Sequence, residues 1–167
     1  MNKVLILTGP GGSGKSTIAN LLVEKCEFVK IDGDELDGKF FPKGEQWLPK
    51  NLNNLRRAHD AILKETKKFF KQGKNIVLDY IIFGDYINFF KEFKKEFGKN
   101  LEIKVLFPSE EEMIRRDKER ACWTTGEERI STVRKEFENI RKFIGKKNFI
   151  DSTGQKPEET LQKYFNF

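Results

Sequence analysis

Cysteine and histidine are nearly missing from this chain, and long apolar runs are missing altogether. The two cysteines, Cys26 and Cys122, share no C-x-x-C spacing. That excludes a disulfide framework or zinc site and fits a reducing cytoplasm. The single histidine, His59, falls on a helical stretch and is assigned no role. No apolar run reaches the roughly 18 residues that a membrane span needs. Met1-Asn2-Lys3 opens directly into a core strand, so neither a signal peptide nor a membrane partner is expected. Repeats, low-complexity tracts and linkers are absent too. The 167 residues therefore read as one domain, 1–167, long enough to bury a core.

Phenylalanine and lysine are plentiful instead. The 16 Phe fall on strand and helix faces and are expected in the core. The 32 Lys and Arg outnumber the 26 Asp and Glu, for a net charge of +6. Such a balance suits anionic ligands or nucleic acid, but acidic residues interleave with the lysines, as on an ordinary solvated surface.

Residues 9–16 read Gly-Pro-Gly-Gly-Ser-Gly-Lys-Ser, a full match to G-x-x-x-x-G-K-[ST]. An apolar strand runs into it and an amphipathic helix runs out, which is the context this phosphate-binding loop requires. Backbone amides of Gly11, Gly12, Ser13, Gly14 and Lys15 are expected to cradle a polyphosphate at the positive end of the helix. Lys15 is expected to reach the β and γ phosphates, with Ser16 on Mg²⁺ and Thr17 beside the nucleotide. An ordinary Gly-rich turn does not explain Lys-Ser at the helix start.

Apolar runs and amphipathic stretches alternate along the chain, which predicts a parallel sheet wrapped by helices. Strands are expected over 3–8, 28–31, 75–79, 101–107 and 148–150. Helices are expected over 15–25, 51–72, 85–97, 109–120, 127–144 and 156–165. Gly73 and Gly98 suit helix ends, Ser109 with Glu112 reads as a capping box, and Pro157 suits a first helical position. Two irregular stretches break the rhythm. Residues 32–50 read as the acceptor-side cover, and 121–128, inside a lid region of 116–129, as a lid. Both can lie at the carboxyl ends of the strands, where open α/β sheets bind ligands.

Several residues there can carry chemistry. Asp32 and Asp34 end the second strand, where a carboxylate can take the proton of an acceptor hydroxyl. Asp32 is taken as the base and Asp34 as a substrate contact, with an exchange of roles left open and a solvated turn as the plain alternative. Asp79 closes Ile76-Val77-Leu78-Asp79 and reads as a magnesium and substrate carboxylate, or else as a helix cap. Tyr80 is placed in the acceptor pocket. Arg56, or its neighbour Arg57, can clamp an anionic acceptor group or simply face water. Phe40, Phe41 and Trp47 can wall a ring-bearing acceptor or pack the core. Arg115, Arg116, Arg120 and Arg129 form the densest arginine cluster. Arg116 and Arg120 share a helix face and can close over the transferring phosphoryl group, or pair with nearby acids. Asp151 and Thr153 lie in a turn able to contact adenine. Asp151-Ser152-Thr153-Gly154 also spells D-x-x-G, but no N-K-x-D motif accompanies it, which discounts a GTPase.

The loop, Asp32-Gly33-Asp34, the strand ending in Asp79, Arg116-x-x-x-Arg120 before a lid, and Asp151-Ser152 before a last helix follow in order over nearly the whole chain. This series resembles the small P-loop kinases of the nucleoside-monophosphate-kinase-like group: gluconate kinase, shikimate kinase, adenylylsulfate kinase and chloramphenicol phosphotransferase. The resemblance implies a three-layer α/β P-loop fold with a five-stranded parallel sheet and a mobile lid. It implies Mg²⁺-ATP as donor and in-line transfer to a hydroxyl of a small molecule, on a monomer or weak dimer. It leaves the acceptor open. A polynucleotide 5′-hydroxyl kinase is the second reading, and an ATP-bound switch module without acceptor the third.

Overall fold

The computed structural model describes residues 2–41, 45, 48–82, 86–121 and 124–165. Trp47, Cys122 and the start of the helix expected over 85–97 lie outside the described residues.

Five short strands form one parallel sheet in the order β2-β3-β1-β4-β5. They are β1 (Val4–Thr8), β2 (Val29–Asp32), β3 (Ile76–Asp79), β4 (Leu101–Leu106) and β5 (Phe149–Ile150). Alternation sorts each strand's side chains into two cores. Val4 and Ile6 of β1 face one side, with Ile76 and Leu78. Helices α3 (Leu52–Lys71), α4 (Ile87–Phe97) and α6 (Glu127–Ile144) cover that side with Ile62, Phe90, Phe93, Phe97, Phe137 and Ile140. Leu5 and Leu7 face the other side with Val77 and Leu106. There α1 (Lys15–Cys26) and α7 (Pro157–Tyr164) supply Ile18, Leu22 and Leu161. The middle strand is fully buried on both faces, which is why it reads as an unbroken apolar run. The strand order reverses at β1, so the crevice of the sheet opens at its carboxyl end, directly onto the glycine-rich loop.

Two local expectations are corrected. The chain after β2 is not irregular at once: Gly33–Asp37 forms a short helix, α2. Asp32 caps it, accepting the Glu35 N–H at 3.0 Å, and Asp34 and Glu35 in the first turn suit the positive helix end. The Ser109 capping box ahead of α5 (Glu110–Lys118) is only half made. Ser109 Oγ accepts the Glu112 N–H at 3.2 Å, but the Glu112 carboxylate turns to Arg115 and Arg116. The Ser109 N–H donates instead to Thr153 Oγ1 at 2.8 Å. Gly73 and Gly98 do take positive φ at their helix ends, and Pro157 opens α7.

Candidate active site

The loop between β1 and α1 is shaped by its own backbone. Gly14 stands before the helix at φ 92°, a left-handed conformation that suits glycine, and α1 starts at Lys15. The Ser13 N–H closes the loop on the Pro10 carbonyl at 3.3 Å, and Ser13 Oγ is buried with no hydrogen-bond partner among the described residues. Lys15 is nearly buried, while Ser16 and Thr17 are exposed on the first helical turn.

Three carboxylates gather beside it. Asp32 and Asp79 are register partners on β2 and β3, so their side chains start from neighbouring strand ends. Asp79 is 3 % exposed; its Oδ2 lies 3.4 Å from Lys30 Nζ and its Oδ1 has no hydrogen-bond partner among the described residues. Lys30 also reaches Asp32 at 3.9 Å and Asn20 at 3.2 Å. Sequence reasoning missed Lys30 because a lysine on a short strand carries no motif. Asp34 is open to solvent but enclosed by protein on most sides. That desolvation raises its carboxyl to about 7, with Asp37, Asp79 and Asp32 pushing the same way against the pull of Lys15. Of the two acids after β2, Asp32 is committed to the helix cap and Asp34 lies within electrostatic reach of the lysine of the loop.

Tyr80 is not available as a pocket wall. It is 2 % exposed, and its hydroxyl donates to Asp37 Oδ2 at 2.9 Å and meets His59 Nε2 at 3.2 Å. Its ring fills the space a side chain at Gly33 would need. Burial and like charge lift the Asp37 carboxyl to about 6, against the Tyr80 hydrogen bond, and burial lowers His59 to about 4. His59 therefore does have a place, half-buried in a trio that ties α3 to the end of β3 and to α2. Phe41 is buried against α3, Arg57 lies over the Phe40 ring, and Arg56 is exposed at the start of α3.

The arginine cluster divides. Arg115 is exposed and paired with Glu112 and Glu119. Arg116 points across the loop, donating to the Ser152 carbonyl at 2.9 Å, Ser152 Oγ at 3.3 Å and Glu112 at 2.8 Å. It stands on the helix-start side of the loop, beside Gly14. Arg120 lies 3.4 Å from Asp117, which is buried and also accepts the backbone N–H groups of Thr125 and Gly126. Those bonds and Arg120 keep the Asp117 carboxyl low against its burial. Arg129 is exposed on the first turn of α6.

A cleft of about 340 Å³ opens between α1, α5 and the turn before α7, lined by Gly14, Thr17, Arg116, Ser152, Gln155 and Pro157 among others. Asp151 and Thr153 stay out of it. Thr153 donates its N–H to Asp151 Oδ1 at 2.9 Å, and the pair fixes the turn and Ser109. The cleft walls in that turn are Ser152 and Gln155, whose roles no side-chain pattern announces.

No group of three or more His, Cys, Asp or Glu side chains that could cage a metal occurs among the described residues. Magnesium asks for less, one or two carboxylates beside substrate phosphates. The partnerless, buried Asp79 Oδ1 and the exposed Ser16 hydroxyl fit that demand.

The family model described as "AAA domain" matches residues 4–144. A guanylate kinase from Caldanaerobacter subterraneus subsp. tengcongensis is 26 % identical, over 88 % of this chain and 77 % of that protein. A sugar kinase from Janibacter sp. HTCC2649 superposes with a TM-score of 0.71 at 13 % identity, over 98 % of this chain and 92 % of its own. A gluconokinase from Sinorhizobium meliloti 1021 gives 0.66 at 16 % identity, over 97 % and 89 %. The five-stranded parallel sheet with helices on both faces is the fold of the small P-loop kinases.

Proposed function

Because the chain belongs to the AAA-domain family, we propose that it is an ATP-dependent phosphotransferase that moves the γ-phosphoryl group to a hydroxyl of a small molecule. The observation that carries this reading is Asp34, a carboxylate lifted to about 7 on the first turn after β2 and within electrostatic reach of Lys15. A base poised near neutral pH beside a phosphate-binding lysine is what hydroxyl phosphorylation requires.

In this reading the loop and Lys15 hold the triphosphate, and the cleft at Thr17, Arg116, Ser152 and Gln155 takes the base. Ser16 and Asp79 would hold Mg²⁺, which neutralises charge on the phosphates when bound. Asp34 accepts the proton of the acceptor hydroxyl. The acceptor oxygen bonds to the γ-phosphorus as the bond to the bridging oxygen of the departing diphosphate breaks. Asp32 caps α2 and so aims Asp34. Arg120 and Arg129, on either side of the lid, neutralise charge on the transferring group, and Arg56 contacts the acceptor.

The test is ADP formation with separate pools of sugars and sugar acids, nucleosides and nucleotides, hydroxylated antibiotics, and 5′-hydroxyl oligonucleotides. One small-molecule pool is expected to stimulate, and Asp34→Asn to remove that stimulation. Stimulation by oligonucleotides alone would move the assignment to nucleic acid. Tight ATP binding with no stimulation in any pool would leave a nucleotide-bound switch.

A further inference from the structure

Tyr80 is too deeply buried to wall the acceptor pocket, yet it touches the helix of the proposed base at both ends. A Cβ built on Gly33, the first residue of α2, would lie 2.3 Å from Tyr80 Cγ and 2.5 Å from its Cβ. The tyrosine therefore lies directly on the backbone that precedes Asp34, and only glycine admits so close an approach. At the last residue of α2, the Tyr80 hydroxyl donates to Asp37 Oδ2 at 2.9 Å. Asp37 is buried, so losing this bond leaves its carboxyl without a partner among the described residues. His59 Nε2, 3.2 Å from the same hydroxyl, steadies it from α3.

Tyr80 is in turn fixed to the strand that carries the loop. Its N–H donates to the Leu7 carbonyl at 3.2 Å, and the Ile82 N–H donates to Thr8 Oγ1 at 3.0 Å. Leu7 and Thr8 end β1 and run straight into Gly9, the first residue of the loop. The path from loop to base is therefore short and directional, from β1 through Tyr80 to α2. A five-residue helix cannot hold its own place, since isolated helices below about 12 residues are marginal. Leu36 packs α2 on the core, but apolar contact is non-directional. We infer that Tyr80 is a positioning residue, holding α2 so that the Asp34 carboxylate stands at a fixed place relative to the phosphate-binding loop. This rests on the reading of Asp34 as the base and adds to it the group that sets the base's position. Transfer is sensitive to such placement, because a shift of about 1 Å can cost about 10²-fold in rate.

The experiment measures kcat with the acceptor pool that stimulates ADP formation, and the affinity for a non-hydrolysable ATP analogue. The variants are Tyr80→Phe, Asp37→Ala, Asp37→Asn, Asp34→Asn, and Tyr80→Phe combined with Asp34→Asn. Assays run at about pH 8.5, above the value of about 7 to which Asp34 is lifted, so that its ionisation does not enter. Phenylalanine keeps the ring on Gly33 and removes the hydroxyl; asparagine at 37 keeps an acceptor for that hydroxyl and alanine does not. Tyr80→Phe and Asp37→Ala are each expected to lower kcat about tenfold, with analogue affinity within about twofold of wild type. Asp37→Asn is expected to keep the wild-type kcat. Adding Tyr80→Phe to Asp34→Asn is expected to cost less than about twofold more, because a residue that acts through Asp34 then has nothing left to position. Wild-type kcat in Tyr80→Phe and Asp37→Ala, an equal loss in Asp37→Asn and Asp37→Ala, or a full tenfold loss repeated on Asp34→Asn overturns the inference and leaves the base standing. Full activity in Asp34→Asn, or stimulation by no pool, overturns both.

Discussion

The Asp32 carboxylate accepts the Glu35 N–H at 3.0 Å and so caps the helix that carries Asp34. Two acids two positions apart thus hold different posts, one in the scaffold and the other, in the proposed mechanism, at the chemistry. Asp34→Asn is expected to lower turnover about 10²-fold or more with nucleotide affinity kept. Asp32→Ala is expected to cost about 1 kcal/mol of stability, the value of a lost cap, and Asp32→Ser to restore most of it. Steady-state kinetics beside urea unfolding separates the two. Equal kinetic losses with no stability change at Asp32 would reverse the roles.

The raised carboxyl of Asp34 gives a pH profile with a definite sign. The base works only when ionised, so kcat/KM is expected to rise with pH, about tenfold per unit on the acid side, and to level near its value of about 7. Asp34→Asn is expected to abolish that limb. A limb that survives the substitution would assign it to another group.

The arginines separate by position. Arg116 reaches the Ser152 carbonyl and lines the cleft, so Arg116→Ala is expected to weaken nucleotide binding about tenfold with turnover at saturation little changed. Arg120 sits at the lid beside Asp117, and Arg120→Ala is expected to lower turnover more than affinity. Single-turnover kinetics at saturating nucleotide reads the difference.

The Asp37–Tyr80–His59 trio makes opposed contributions to stability between about pH 4 and 6.5. Asp37, lifted to about 6, holds a proton in the native state that the unfolded chain releases above the ordinary aspartate value of 3.8, so its share of stability falls as pH rises through that window. His59, lowered to about 4, stays neutral where the unfolded chain takes up a proton below 6.5, so its share falls as pH drops. The two slopes largely cancel. His59→Gln is expected to remove the opposing His59 slope, so that the urea midpoint rises more steeply than in wild type on acidification from pH 6.5 to 4, where Asp34, lifted to about 7, adds to the Asp37 slope in both proteins. Parallel curves would remove both groups from the balance.

The sheet was legible in the sequence because its strands announce themselves as short apolar runs between helical patterns. β1, the loop and α1 were read nearly residue for residue, and α6 matches the expected 127–144. The site was legible where a motif carries it and obscure where contacts cross the chain. Asp32-Gly33-Asp34 reads as a turn because Asp and Gly favour turns, yet the same residues start α2 once Asp32 caps it. Tyr80 follows a strand end and looked like a pocket residue; its partners Asp37 and His59 lie 43 and 21 residues away. Arg116 belongs to a cluster that looks uniform on a helix and divides only when Ser152, 36 residues on, is brought beside it.

Lys30, wedged between the carboxylates of Asp79 and Asp32, has a bearing on how the protein is made as well as on what it does. A buried acid with no cation of its own would tie maturation of the fold to the supply of a divalent ion. Here the counter-charge is covalently part of the chain and arrives with the neighbouring strand. The chain is therefore expected to fold without a divalent ion and without leaving a bare charge inside the sheet. Lys30→Met is the change expected to make the melting temperature depend on magnesium, where wild type is indifferent to EDTA.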